Sequence, residues 1–127
     1  MKRESVTARG LHKTSGYSHA AKAGGLVYVA GQIAQDAEGN LVGRGDIEAQ
    51  AVQIFENLKA ALASAGTSLD QVLKLTTYAT SVVYRQKIAE VRARYFGDYL
   101  PPNTFLVVAS LATPDYLLEI EAVAACP

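Results

Sequence analysis

The order of elements along this chain predicts an α+β fold with one mixed sheet and two helices packed on one of its faces. Three observations carry that expectation. Two amphipathic helical segments alternate with β-rich runs, the remaining apolar runs are short enough to be strands, and the last run places polar and apolar residues with period two. A length of 127 residues suits one domain, residues 1–127, around one ordinary core.

Leu26 to Ala30 is apolar and rich in β-branched and aromatic residues; bracketed by Gly24-Gly25 and Gly31, it reads as a buried strand. Tyr17 to Ala21 is its expected hairpin partner, and Gln35 to Asn40 and Gly43 to Gly45 have loop composition. Asp46 supplies a helix N-cap. Apolar residues then recur at Ile47, Ala51, Ile54, Leu58, Ala61, Leu62 and Ala65 before Gly66 ends the helix. Val72 to Thr80 is a third β-rich run. Tyr84, Ile88, Val91 and Tyr95 step along one face of a second helix that runs toward Gly97. Pro101-Pro102 breaks the chain ahead of a strand over Thr104 to Ala109, and Thr113-Pro114-Asp115 turns it into the final strand. With both helices on one face, the other face is expected to be bare and apolar, an association surface between copies.

That final strand, Leu117 to Ala125, holds two carboxylates in an otherwise apolar run. Alternation puts Glu119 and Glu121 on one face and Leu118, Ile120, Ala122 and Ala124 on the other. An isolated buried carboxylate costs several kcal/mol or takes up a proton, so each glutamate needs solvent, a partner or a pocket. By pattern alone, Glu119 is as readily a solvent-facing strand residue as a catalytic one. Glu121 reads as a structural hydrogen-bond or ion-pair partner at a subunit contact.

Twelve basic residues balance twelve acidic ones, which leaves no overall positive field to attract nucleic acid or anionic lipid. The single cysteine, Cys126, excludes an intrachain disulfide and a cysteine-only metal cluster. No apolar leader and no stretch near the ~20 residues of a membrane span is present, so a cytoplasmic protein is expected. His12 and His19 have no partners at metal-ligand spacing and read as surface residues, and no metal is expected. Arg85, Lys87, Arg92 and Arg94 read as a solvated face of the second helix.

Four segments, Gly16-Tyr17-Ser18, Val29-Ala30-Gly31-Gln32-Ile33, Pro101-Pro102 with the strand that follows, and Glu119-Ile120-Glu121-Ala122-Val123-Ala124, resemble the Rid family of reactive intermediate deaminases, also called YjgF-type proteins. The similarity runs from about Gly16 to Ala125. It implies a chorismate-mutase-like fold assembled as a homotrimer, with sites in clefts between subunits. It also implies cofactor-independent hydrolysis of a short-lived enamine or imine from amino-acid metabolism to a keto acid and ammonia. By the same resemblance Glu119 is the general acid and base, Tyr17 borders the site, and the Gly31 backbone approaches the ligand.

The family's active deaminases carry an arginine just after the prolines, where this chain has Asn103. The family's serine before the glycine is Ala30, its cysteine two positions after the arginine is Phe105, and an asparagine of its second helix has no clear match near Ala89. An amide can hydrogen-bond a carboxylate but brings no charge. These substitutions resemble Rid subgroups that lack the arginine. They imply a substrate other than a simple 2-imino acid, or alternatively a non-catalytic small-molecule-binding or structural trimer. Whether Arg44 or Arg85 replaces the missing charge is left open.

Overall fold

The computed structural model describes all of residues 1–127. Six strands form one sheet: β1 (Glu4–Ser5), β2 (Ala20–Ala23), β3 (Leu26–Gln32), β4 (Val72–Ala79), β5 (Asn103–Val107) and β6 (Leu118–Ala125), in the spatial order β1-β2-β3-β6-β4-β5. All pairings are antiparallel except β4 with β5, so the sheet is mixed. The two helices are α1 (Ile47–Ala65) and α2 (Arg85–Phe96).

The hairpin differs in register from expectation. Its first strand is Ala20–Ala23 rather than Tyr17 to Ala21, because Gly24 and Gly25, at φ 59° and 79°, make the two-residue turn themselves. Helix α1 keeps its expected bounds: the Asp46 carboxylate accepts from the Ala49 N–H at 3.1 Å, and the Gly66 N–H closes the last turn on Ala63 O. Its buried face, with Ile54, Phe55, Leu58 and Leu62, packs on Val27, Leu75, Leu118 and Ile120 of the sheet and on Ile88 and Val91 of α2 in one core cluster. Phe55 also stacks on Tyr95 at 5.3 Å between ring centroids.

The sheet face away from the helices is not the apolar surface the sequence suggested. Cross-strand register places Tyr28, Lys74, Thr76, Tyr78, Glu119, Glu121 and Val123 there, so it is polar and aromatic. Apolar exposure gathers instead around the β5 edge, at Leu106 and Val107, and nearby at Val82 and Val83.

His12 and His19 are also not at the surface; each is only 6% exposed. Their burial follows from the chain ahead of β2, which continues the hairpin so that the Ala30 N–H donates to His19 O at 2.8 Å. His19 Nε2 donates to His12 O at 2.8 Å, and its Nδ1 accepts from Gln32 Nε2 at 3.0 Å. Burial, and secondarily the neighbouring His19, holds the His12 imidazole below the usual histidine range. No helix is long and apolar enough to cross a membrane.

Candidate active site

Glu119 lies near the start of β6, opposite Tyr78 of β4, with β3 on its other side. Pairing between β3 and β6 is regular up to Val29 and resumes at Gln32, so a bulge falls at Ala30-Gly31, the point where the Glu119 side chain crosses β3. The approach is close enough that any Cβ on Gly31 would lie 2.1 Å from Glu119 Oε2 and 2.7 Å from Cδ. Glycine at 31 is therefore a requirement of this carboxylate's position.

Glu119 is half-buried and has neither a hydrogen-bond donor nor a cation beside it, whereas Glu121 accepts from Tyr78 Oη at 2.5 Å. Burial, reinforced by the charge of Glu121, raises the Glu119 carboxyl above the usual glutamate range. The Tyr78 phenol is itself held above its ordinary value by its bond to Glu121, and so keeps the proton it donates. A carboxyl of raised proton affinity, free of structural partners, is suited both to take and to return a proton.

Tyr17 lies exposed on the chain ahead of β2. Its ring meets His19 edge-on at 6.4 Å, and His19 is bonded to Gln32, next to Gly31. Two buried polar residues of α1 hold the strands around it. Asn57 Nδ2 donates to Ile33 O at 3.0 Å and Gln35 O at 2.9 Å, just after β3. Gln50 donates to Gly43 O and Asp115 O and accepts from the Leu117 N–H at 2.9 Å, just before β6. Polar residues on an otherwise apolar helix face were the only sequence signal of this role.

Asn103 and Phe105 stand elsewhere. They pair with Leu75 and Thr77 of β4, whose side chains point toward the helices, whereas Glu119 pairs with Tyr78, which points away. Glu119, with Ala30 and Gly31 beside it, and the pair Asn103 and Phe105 thus form two groups on opposite faces of the sheet, with β4 between them, while Tyr17 lies apart on the exposed chain ahead of β2.

The second group opens into a cleft of about 890 Å³ between α2 and β5. Val82, Val83, Leu106 and Val107 make apolar walls, Ala89 lies on its helix side, and Arg85 and Arg92 line it. Thr77 Oγ1 donates to Asn103 Oδ1 at 2.7 Å, which leaves the Asn103 Nδ2 protons without a protein acceptor. Arg44 pairs with Asp115 at 2.7 Å on the surface of the same chain.

Residues 7–126 match the endoribonuclease L-PSP family. A RutC family protein of Pyrococcus horikoshii is 43% identical over 108 residues, covering 85% of each chain. The crystal structure of a Yersinia pestis protein described as of unknown function, from the conserved Rid protein family, superposes with a TM-score of 0.92 at 31% identity over 98% of this chain and 99% of that one. Escherichia coli TdcF, crystallised with bound serine, superposes with a TM-score of 0.85 at 30% identity over 95% and 96% of the two chains.

Proposed function

This chain belongs to the endoribonuclease L-PSP family, the Rid or YjgF-type proteins, and from that premise we propose that it is a cofactor-independent hydrolase of small enamines or imines with Glu119 as general acid and base. The observation that carries the reading is the Glu119 carboxyl: half-buried, unpartnered, raised in proton affinity and lying so close to Gly31 that a Cβ there would displace it.

In the proposed reaction Glu119 takes a proton from water as the water oxygen attacks the C=N carbon, and returns it to nitrogen. The resulting carbinolamine then transfers its hydroxyl proton to nitrogen and loses ammonia, leaving a carbonyl compound. Serine in E. coli TdcF supports a ligand of amino-acid size for this site. Because Glu119 and Asn103 lie on opposite faces of one sheet, each site would be completed by two copies. That supports a chorismate-mutase-like homotrimer with intersubunit clefts. With Asn103 in place of an arginine, the substrate differs from a simple 2-imino acid. The balanced charge disfavours RNA as the substrate, despite the family's name.

The test is ammonia release from 2-iminopropanoate, from 2-iminobutanoate and from imines without an α-carboxylate, each generated in situ. Glu119→Gln should lower turnover of the preferred imine about 10²–10⁴-fold while the assembly stays folded; undiminished turnover would refute the assignment. The neutral amide at Asn103 favours one alternative, a trimer that binds without catalysis. It predicts saturable binding and no product from any of these imines.

A further inference from the structure

The second helix carries four cations, and they divide by face. Lys87 and Arg94 are engaged on one side: Arg94 bonds Glu48 at 2.8 Å, and Lys87 lies 3.0 Å from Glu90. Arg85 and Arg92, seven residues apart and hence on one stripe, make no ion pair and no side-chain hydrogen bond. Both line the α2–β5 cleft, and no acidic residue lines it with them. Ala89 lies between them on the same stripe and is too small to close the gap. Arg85 is steadied by the Phe105 ring, 6.0 Å from guanidinium carbon to centroid.

We propose that Arg85 and Arg92 form an anion subsite on the helix wall of this cleft, which receives the carboxylate of an organic acid whose apolar body lies against Val82, Val83, Phe105 and Val107. The proposal deepens the hydrolase reading by naming its substrate class: an acid longer than a 2-imino acid, bound by α2 rather than by the residue after the prolines. Two guanidinium groups with no acidic partner share this cleft; Arg92 is partly buried there and Arg85 is exposed at its mouth, so both keep their hydrogen-bonding forks free for an anion. Burial, followed by the charge of Arg85, lowers the proton affinity of the Arg92 guanidinium. Guanidinium forks match carboxylate oxygens two at a time, and the free Asn103 Nδ2 protons add a third, neutral donor site. The apolar walls select against small hydrated anions and for an acid with a hydrocarbon or aromatic body.

The test is calorimetric titration of the full chain, as it assembles in solution, with 3-phenylpropanoate and with the neutral 3-phenylpropanamide. Wild type should bind the acid saturably at millimolar concentrations or below and the amide much more weakly. Arg92→Gln and Arg85→Gln should each weaken the acid at least about tenfold and leave the amide unchanged. Arg94→Gln, which removes a cation of the same helix outside the cleft, should bind the acid like wild type. Arg85→Gln alters only an exposed side chain and keeps the test valid if Arg92→Gln fails to fold. Equal affinity for the acid in wild type and Arg85→Gln, equal loss in Arg94→Gln, or no saturable binding by wild type would each overturn the proposal. Because the readout is binding, it is independent of whether Glu119 catalyses anything: arginine-dependent binding with no turnover would leave this subsite standing and remove only the hydrolase reading.

Discussion

Glu119 sits on a strand bonded on both sides, by β3 and by β4, whereas Asn103 begins β5, an edge strand with a neighbour on one side only. The first position is fixed by main chain. A bulge, a glycine with no room for a methyl group and two buried amides of α1 determine where the carboxylate lies. The second is fixed by side chains, through one hydroxyl bond from Thr77 and a helix stripe packed loosely over the edge. On the proposed reading, the comparison teaches that proton-transfer chemistry and substrate choice can change separately here. Replacing a cation with Asn103 leaves the sheet intact, whereas almost any change around Gly31 moves the carboxylate.

The widest separation between the two regions is expected in stability. Asn57→Ala would strip Gln35 O of its donor, leave Ile33 O with the Gln35 N–H alone and remove the acceptor of Gln53, and should cost roughly 3 kcal/mol in denaturant unfolding. Thr77→Val, the matching change beneath Asn103, should cost only about 1 kcal/mol, because valine fills the same space and the freed amide can reach water. Equal losses would remove the distinction. Next is Gly31→Ala, which should leave the fold in place but turn the Glu119 carboxylate aside. Turnover should fall about 10²-fold, the scale of an ångström-sized misplacement, with binding of 3-phenylpropanoate unchanged. A matching loss of binding would mean that the two halves are not separable.

The smallest effect is the dependence of stability on pH. Glu119 has a folded-state proton affinity above its unfolded one, so the native state holds the proton more tightly and ionisation destabilises it. Wild type should therefore lose stability relative to Glu119→Gln as pH rises from the ordinary glutamate range through the raised folded-state value. Below that range the two should keep a constant offset. Paired unfolding curves from pH 4 to pH 8 check the sign, and a relative gain by wild type over that interval would contradict the account.

Much of this was legible from local signals. Asp46 and Gly66 bracket α1 because capping is a property of a few consecutive residues, and the period-two alternation of the last strand put Glu119 and Glu121 on one face. What was not legible depends on contacts distant in sequence. The two groups are divided because β4 lies between β6 and β5 and their side chains leave opposite faces of the sheet, an arrangement that no local pattern reveals. His12 and His19 are buried by the chain running on from the hairpin, against their polar surroundings in sequence. The charges of α2 looked uniform until their neighbours separated Lys87 and Arg94, paired with glutamates, from Arg85 and Arg92, which lie against the cleft. The outer sheet face turned out polar because Tyr28, Tyr78 and Lys74 share it with the glutamates.

Mixing tests the central claim, that the carboxylate of one copy works with the cleft of another, most directly. Glu119→Gln and the double variant Arg85→Gln/Arg92→Gln are each expected to be nearly inactive on an imine carrying a carboxylate. Unfolded together and refolded as mixed assemblies, they should regain a substantial fraction of wild-type turnover, because some clefts would then combine an intact carboxylate with an intact pair of arginines. Mixed assemblies no more active than either parent would contradict a site built from two chains.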